Sequence, residues 1–229
     1  MKVAASPHLI EGVFPRFLQV YSQRYPGVHV KLNDVVGTQE ILGRLARGDI
    51  HLAQVVARAF PAEAQHLQVY PLLPTDMLAA CHPGTRLGRA GRIEIAELAS
   101  RPLLQITGDF AIRRLFDAAC RVAGFEPEIL LESRAPHALL ALAEAGHGIA
   151  IIPCALRTHQ YRLRIVRILH RGKPLREPLV MLADSRRPLR PYGVAFCEML
   201  ARHVRNVFPI TRSTTGTRSP TPAKAERSG

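Results

Sequence analysis

The chain has 229 residues, 47% of them hydrophobic, which is enough for one large domain or two small lobes with a real core. No run of about 18 apolar residues occurs, and the sequence opens on a charge and strand-like residues instead of a signal peptide, so we expect a cytoplasmic protein. The four cysteines lack the Cys-x-x-Cys spacing of zinc and redox pairs. We therefore expect reduced, mostly buried thiols, no metal site and no cofactor.

The net charge of +13 favours anionic partners such as nucleic acid or acidic metabolites. Part of this charge lies in residues 211–229, TRSTTGTRSPTPAKAERSG, where four cations and one anion contribute +3 (4 − 1). The segment is rich in Ser, Thr, Pro and Gly and cannot build a core, so it is predicted to be a disordered basic tail. Elsewhere the arginines are scattered without interleaved aromatic residues, which fits a solvated surface as well as a nucleic-acid face.

The first quarter of the chain alternates between strand and helix patterns. The patterns predict an apolar start at 3–6, a helix with its apolar face at Ile10, Phe14, Phe17, Leu18 and Tyr21, a strand at 28–32, a helix opened by Gly37 and Thr38 and closed by Gly48, and a strand at 51–56. In the second of these helices Thr38 is the predicted N-cap and Gly48 the stop.

The stretch ESRAPHALLALAEAGHGIAIIP at 132–153 contains Gly146 and Gly148 with one residue between them, the spacing of a phosphate loop. A dinucleotide fingerprint runs strand, glycine loop, helix, whereas here a helix after Pro136 precedes the glycines and the apolar run 149–152 follows them. The glycines are therefore predicted to end a helix, Gly146 in a left-handed conformation and Gly148 by letting the next strand pack closely. We do not expect a nucleotide site.

The remaining segments continue the alternation. The sequence predicts extended segments at 69–73 and 77–81, a loop at 83–92, a strand at 102–106, a helix at 109–123, strands at 164–169 and 179–183, and a helix at 191–207. Strands that alternate with helices indicate an α/β protein with largely parallel sheets. Because the helix, glycine, strand unit around Gly48 recurs around Gly146, we expect two similar lobes.

Three segments, VAASPHLIEGVFPRFLQVYSQRYPGVHVKL, TQEILGRLARGDIHLAQV and ESRAPHALLALAEAGHGIAIIP, resemble in order and spacing the effector-binding domain of LysR-type transcriptional regulators, over residues 2–208. The resemblance implies two Rossmann-like lobes joined by two crossover strands, similar to type 2 periplasmic binding proteins, with a small molecule in the cleft. Lobe one would comprise residues 1–75 and 180–208, and lobe two residues 76–179. The winged helix-turn-helix that precedes this domain in the family has no counterpart in this sequence.

The resemblance places effector contacts at helix starts, where free N–H groups and the helix dipole attract anions, so a small carboxylate or inorganic oxyanion is the expected effector. The expected effector-binding residues are Ser6, Pro7, Thr38, Gln54, Arg58, Gly108, Asp109, Ser133 and Arg134. Arg58 and Arg134 would form a bidentate clamp, and His8 and His137 lie near two of the helix starts. The alternatives stay open, because hydroxyls at helix starts commonly only cap the helix and arginines are commonly surface cations.

Three positions depart from the family pattern. His51 stands where the family usually has Asp, and Ala135 where it often has a small hydroxyl. Gln54 replaces an apolar strand residue. Because a buried amide needs hydrogen-bond partners, Gln54 is expected to face the cleft or to satisfy a neighbouring backbone group.

The resemblance implies a non-catalytic, ligand-sensing domain, with no membrane association and with DNA bound only through the missing N-terminal domain, not by this chain. An enzyme on the same fold is the first alternative. Against it, no nucleophile has a positioned base, and Cys81 and His82 point to opposite faces as neighbours on a strand. A transporter-linked solute-binding protein is the second alternative, and no export signal supports it.

The resemblance also implies a side-by-side, antiparallel homodimer. Its surfaces would be residues 9–21 of one chain and about 110–122 of the other. On the first surface, Leu9, Val13, Phe17 and Val20 are expected to lie next to the residues that face the core. They would leave apolar area for a partner. The alternative is that this whole stripe belongs to the core.

Overall fold

The computed structural model describes residues 1–34, 37–57, 66–108 and 110–208, with Thr38 described for its backbone alone. The helices are α1 (Pro7–Gly12), α2 (Phe14–Arg24), α3 (Thr38–Arg47), α4 (Ala111–Val122), α5 (Pro136–Glu144) and α6 (Pro191–Val207). A 3₁₀ helix covers Ile95–Leu98. The basic tail predicted at 211–229 lies outside the described residues.

The strands alternate with these helices and form two sheets. In chain order the strands are β1 (Lys2–Ala5), β2 (Lys31–Asp34), β3 (Leu52–Val56), β4 (Leu67–Pro71), β5 (Thr75–Cys81), β6 (Arg92–Glu94), β7 (Leu103–Ile106), β8 (Ile129–Ser133), β9 (Ile149–Pro153), β10 (Arg164–His170), β11 (Lys173–Pro174), β12 (Arg176–Glu177) and β13 (Leu179–Asp184).

The first sheet has the strand order β2-β1-β3-β13-β4. Strand β1 runs parallel to β2 and β3, whereas β13 runs antiparallel to β3 and β4. An aromatic cluster from α2 and α6 packs against it, with ring centroids 4.8 to 6.1 Å apart. Its members are Phe14, Phe17, Tyr21 and Phe196.

The second sheet has the strand order β11-β10-β5-β9-β7-β8, with β12 paired to β5 and β6 paired to β10. Strand β7 runs parallel to β8 and β9, whereas β5 runs antiparallel to β9 and β10. A separate hydrophobic core, which includes Phe116, Leu139 and Ile151, packs against this sheet. The chain therefore forms two lobes, each with a sheet and a core of its own.

The chain crosses between the two lobes twice. It leaves the first sheet after β4 to enter the second at Thr75, and it returns through Pro178, between β12 and β13. The N–H of Leu72 donates to the carbonyl of Leu179, and the N–H of Ala57 donates to that of Pro178, each at 2.8 Å. The two crossings therefore lie side by side. The residue bounds predicted for the lobes stay a prediction.

The sheets are mixed, so the prediction of largely parallel sheets was wrong. The crossover strands β5 and β13 each run antiparallel to their neighbours, a direction that no local pattern encodes. The strand predicted at 28–32 begins later, because its partner β1 begins at Lys2 and pairs there with Lys31. Strands β6, β8, β11 and β12 were not predicted.

The helix predicted across residues 10–21 is in fact two helices. Helix α1 ends at Gly12 and α2 begins at Phe14, with Pro15 in its first turn. A proline there has no N–H to continue the hydrogen bonds of the preceding helix. The predicted dimer surface changes with it: Leu9, Val13 and Phe17 are buried in the core, and Val20 alone of the four is exposed, by 53%.

The helix ends were predicted more accurately than the helix starts. Thr38 is not the N-cap of α3, since Gly37 holds that position and Thr38 is the first helical residue. Gly48 ends α3 as predicted, with φ of +77°, and Gly146 has the expected positive φ, +88°. The close packing expected at Gly148 is confirmed, because a Cβ there would lie 2.8 Å from the carbonyl oxygen of Pro102.

Candidate ligand-binding cleft

A cavity of about 60 Å³ lies between the two lobes, beyond the carboxyl ends of β1, β3 and β7. Ligands of open α/β sheets bind at this end of the strands. The first lobe, the crossover strands and the second lobe all contribute to the wall. The lining residues are Ser6, His8, Gly37, Ile41, Gln54, Val55, Val56, Thr75, Phe110, Ala111, Ile112, Arg114 and Leu179.

Three polar side chains of the first lobe form a hydrogen-bonded chain in this wall. The Ser6 hydroxyl donates to Gln54 Oε1 at 2.8 Å, and the Ser6 N–H donates to the same oxygen at 3.1 Å. Since a hydroxyl has one proton, His8 Nε2, which lies 3.0 Å from Ser6 Oγ, is the donor in that contact. Among the described residues none accepts a hydrogen bond from the Gln54 amide nitrogen, which leaves this donor for a ligand.

His8 is a neutral group in this chain. Its side chain is 7% exposed, and burial lowers its pKa from 6.5 to about 4. The ring therefore carries no charge near neutral pH and keeps one proton on Nε2 for Ser6. Positive charge in the cleft must come from other groups.

Two helix N-termini open onto the cavity. The N-cap residues of α3 and α4 are Gly37 and Phe110, both of which line the cavity, and neither caps its helix with a side-chain hydrogen bond. The first N–H groups of a helix have no partner within it and carry partial positive charge. Arg114, in the first turns of α4, adds a cationic side chain to the same wall. The wall of the cleft therefore contains the N-termini of two helices and one arginine.

Two of the predicted site residues, Ser6 and Gln54, line the cavity. Gln54 meets both expectations for it, because it faces the cleft and also accepts the backbone N–H of Ser6. Thr38 directly follows the lining residue Gly37 in the chain. Arg58 and Asp109, which were also predicted, lie outside the part of the chain that the structure describes.

The other predicted contacts in the described part of the chain do not line the cavity. These residues are Pro7, Gly108, Ser133 and Arg134. The Ser133 hydroxyl accepts the N–H of Ala135 at 3.1 Å, a contact within its own turn. The Arg134 guanidinium lies over the ring of Phe110, 5.6 Å from its centroid. Arg134 therefore contacts a residue that lines the cavity but does not line the cavity itself. All four stay predictions for a ligand-bound state.

Several lining residues were missed by the sequence analysis. Phe110 could have been recognised from the sequence, because an aromatic residue at an N-cap position cannot cap the helix and leaves the first N–H groups of the helix without a partner. No sequence feature identified Leu179 or Thr75, since they reach the cleft through the crossover strands. Their place depends on the pairing of segments far apart in the chain.

Two larger cavities, of about 310 and 280 Å³, lie on the first lobe. One surrounds Met1, His51 and Arg187, and the other lies between Tyr70 and Arg205. Because each is lined by one lobe alone, ligand binding there would not draw the two lobes together. The cavity shared by both lobes is therefore the stronger candidate for a sensing site.

The cysteine considered as a nucleophile is poorly suited to that role. Burial raises the pKa of the Cys81 thiol, which favours the unreactive protonated form. His82 Nδ1 accepts the N–H of Gly84 at 3.1 Å and so engages its own turn. In the described ranges no three His, Cys, Asp or Glu side chains cluster as metal ligands, and no helix there is long and apolar enough to cross a membrane.

Two α/β lobes that are joined by two crossovers and share one cavity define a two-lobed small-molecule-binding domain. The family described as the LysR substrate binding domain matches residues 1–205, and the chain belongs to this family. Its fold is that of type 2 periplasmic binding proteins, as predicted.

The most similar curated proteins include transcriptional regulators. The chain is 24% identical to the uncharacterised HTH-type transcriptional regulator YwbI of Bacillus subtilis (strain 168) over 153 residues, 67% of this chain and 50% of that protein. It is 31% identical to the malonate utilization transcriptional regulator of Klebsiella pneumoniae over 85 residues, 37% of this chain and 28% of that protein. The chain thus spans half or less of the length of these relatives.

Solved structures share the fold at low sequence identity. The Corynebacterium glutamicum OxyR C206 mutant superposes with a TM-score of 0.77 at 17% identity, over 92% of this chain and 65% of that one. The effector binding domain of QuiR in complex with shikimate gives a TM-score of 0.72 at 15% identity, over 91% of this chain and 98% of that one.

Proposed function

We propose that this chain is the effector-sensing domain of a LysR-type transcriptional regulator and that it binds a small anionic metabolite in the cavity between its lobes. Binding favours the arrangement of the lobes that fits the ligand best. In a complete regulator, that change would alter how paired DNA-binding domains sit on an operator. Since the relatives are transcriptional regulators, we place the protein in the cytoplasm and assign it no catalytic activity.

The convergence of two helix N-termini on one cavity carries this proposal. Helices α3 and α4 belong to different lobes, and both present uncapped first turns to the same space. An anion held between them would bind both lobes at once, which is what a closure signal requires. Ser6 and Gln54 add polar contacts from the first lobe, and Arg114 adds positive charge from the second.

The size of the cavity limits what fits without opening. A cavity of about 60 Å³ holds a few water molecules, each of which needs about 10 to 15 Å³ on this measure. A carboxylate or oxyanion group fits this space, whereas a larger ligand requires the lobes to separate. Apolar side chains beside it, including Ile41 and Ile112, suit the carbon skeleton of a small organic acid.

A thermal-shift screen of the purified chain tests the proposal. Malonate and shikimate are natural first probes, after the relatives whose names contain them, with sulfate as the inorganic anion. A ligand at about 100 times its Kd stabilises the folded state by about 2.7 kcal/mol. For a chain of this size that is a rise of about 5 to 10 °C in melting temperature. No rise with any anion would contradict an anionic effector.

A variant that adds a negative charge at Gln54 tests whether the ligand is an anion. Gln54→Glu keeps an oxygen for the Ser6 hydroxyl and N–H but replaces the free amide donor with a second carboxylate oxygen. We expect at least a tenfold loss of anion affinity, because the new negative charge faces the ligand. Gln68→Glu makes the same change on exposed β4 and should leave affinity unchanged.

We also propose that the chain forms a homodimer through the surfaces at 9–21 and about 110–122. Val20 on α2 and Val122 on α4 support this, since they are 53% and 62% exposed. One lies on each of the two surfaces, so an antiparallel pair would cover both. The apolar area is smaller than predicted, because the other helix residues named for the first surface belong to the core.

A further inference from the structure

We propose that Glu11 and His137 form a proton-dependent latch between the two lobes, which closes the cleft more firmly when the imidazole is protonated. Glu11 Oε2 and His137 Nε2 lie 2.8 Å apart. The latch concerns lobe closure itself. Its consequence for effector affinity, a dependence on pH, rests on the proposed function.

The two side chains come from opposite lobes. Glu11 is on α1, which buries His8 and Leu9 in the first lobe. His137 is on α5, which packs against β5, β7 and β9 of the second lobe. The two helices pack into separate hydrophobic cores, so the contact depends on how closely the lobes approach each other. A bond of this kind stabilises the closed arrangement and is lost in an open one.

The second lobe holds the imidazole in place for this contact. The Tyr161 ring stacks on it with centroids 5.9 Å apart, and the Tyr161 hydroxyl lies 3.2 Å from His137 Nδ1 and 3.3 Å from its carbonyl oxygen. Gln160 Nε2 lies 3.5 Å from the same Nδ1. The ring is therefore oriented before Glu11 arrives, which lowers the entropy cost of forming the bond.

The hydrogen-bond partners allow two protonation states. An amide nitrogen only donates, so beside Gln160 the neutral ring accepts at Nδ1 and donates from Nε2 to Glu11. When Nδ1 takes a second proton, the Tyr161 oxygen can accept it, and the donating Gln160 amide group must turn away. The contact with Glu11 then changes from a hydrogen bond to an ion pair between charged groups, which is the stronger interaction.

The charge environment sets the direction of the effect. Among the described residues, the ionisable groups in contact with the ring are Glu11 from α1 and Tyr161 from the segment after β9. Arg134, on the turn before α5, lies over Phe110. Because the closed form offers the imidazolium a carboxylate that the open form does not, proton uptake favours closure.

Small-angle X-ray scattering of the ligand-free chain tests the latch, with the radius of gyration measured at about pH 8 and about pH 5.5. We expect a smaller radius at the lower pH for the wild type. Glu11→Gln and His137→Gln should each lose this difference, because neither can form the ion pair. His147→Gln, at the far end of α5 and exposed, is the matched control and should keep it.

A second variant keeps the test decisive. His137→Phe retains a ring to stack on Tyr161 but removes both nitrogens, and it should have the larger radius at both pH values. Circular dichroism at each pH confirms that the variants are folded. An unchanged wild-type radius, a pH response that survives in His137→Phe, or its loss in His147→Gln would each overturn the latch. Since no effector is present, none of these results depends on the identity of the ligand.

Discussion

At the scale of single residues, Ser6 shows how a helix-start hydroxyl becomes part of a site. Ser6 is the N-cap residue of α1, yet its side chain makes no capping bond and donates to Gln54 Oε1 instead. The acceptor exists because a glutamine occupies an otherwise apolar, buried strand. That glutamine was recognisable in the sequence as an unusual residue. Its partner Ser6 could not be identified without knowing that β1 pairs with β3.

His8 predicts a dependence of stability on pH. Its pKa is about 4 in the folded chain and 6.5 in the unfolded chain, so the unfolded chain binds the extra proton between these values. The contribution of neutral His8 to the free energy of unfolding is therefore fully present above pH 6.5. It is lost as the pH drops toward about 4, and the loss is about 3 kcal/mol at most.

Urea unfolding at a series of pH values measures this effect. His8→Gln keeps an N–H donor for Ser6 without an ionisable ring, so its stability should fall less over the same range. His147→Gln replaces an exposed histidine and should follow the wild type. Identical pH profiles for His8→Gln and the wild type would show that His8 is not the group responsible.

At the scale of elements, the pattern of the sequence predicted most helices but not the break between α1 and α2. The last helix, Pro191–Val207, has the bounds that its apolar spacing and proline predict. Strands were predicted where they are buried on both faces, as in β5 and β9. Strand β8 was missed because its residues are half-exposed and do not alternate, and only its pairing with β7 makes it a strand.

The close approach at Gly148 predicts a cost for any side chain there. An added Cβ would lie 2.8 Å from the carbonyl oxygen of Pro102 and 3.3 Å from Leu104 Cγ, so β9 and β7 would have to separate. Overpacking of this kind costs about 1 to 3 kcal/mol, and we expect Gly148→Ala to lower the free energy of unfolding by that amount. Urea unfolding checks it.

Gly27→Ala is the matched control for this change. A Cβ at Gly27 meets no atom within 4 Å, and its φ is not in the left-handed region, so the substitution should be neutral or slightly stabilising. Equal unfolding midpoints for the two variants would contradict the packing argument for Gly148.

At the scale of the whole molecule, exposed apolar side chains predict association. Val20→Lys or Val122→Lys should weaken the proposed dimer, because each buries a charge at the contact. Val69→Lys, a 42% exposed valine on β4 away from both surfaces, should leave the dimer intact. Sedimentation velocity at high micromolar concentration makes the comparison. A monomeric wild type, or equal loss in all three variants, would count against this interface.

The arrangement of the two lobes was the part least accessible to local patterns. Apolar periodicity predicted the elements, and the repeated helix, glycine, strand unit indicated two lobes. The wall of the cleft depends on contacts such as those of Thr75 and Leu179, which come together only through the crossovers. The family resemblance supplied that long-range order.

The proposed site lies between the N-termini of α3 and α4, and a crystal structure with the anion that most raises the melting temperature would locate the ligand. We expect density for the anion within about 2.7 to 3.2 Å of first-turn backbone nitrogen atoms from both helices and of the Gln54 amide nitrogen. An anion bound instead in the first-lobe cavity beside His51 and Arg187, with the shared cavity unoccupied, would rule out this site.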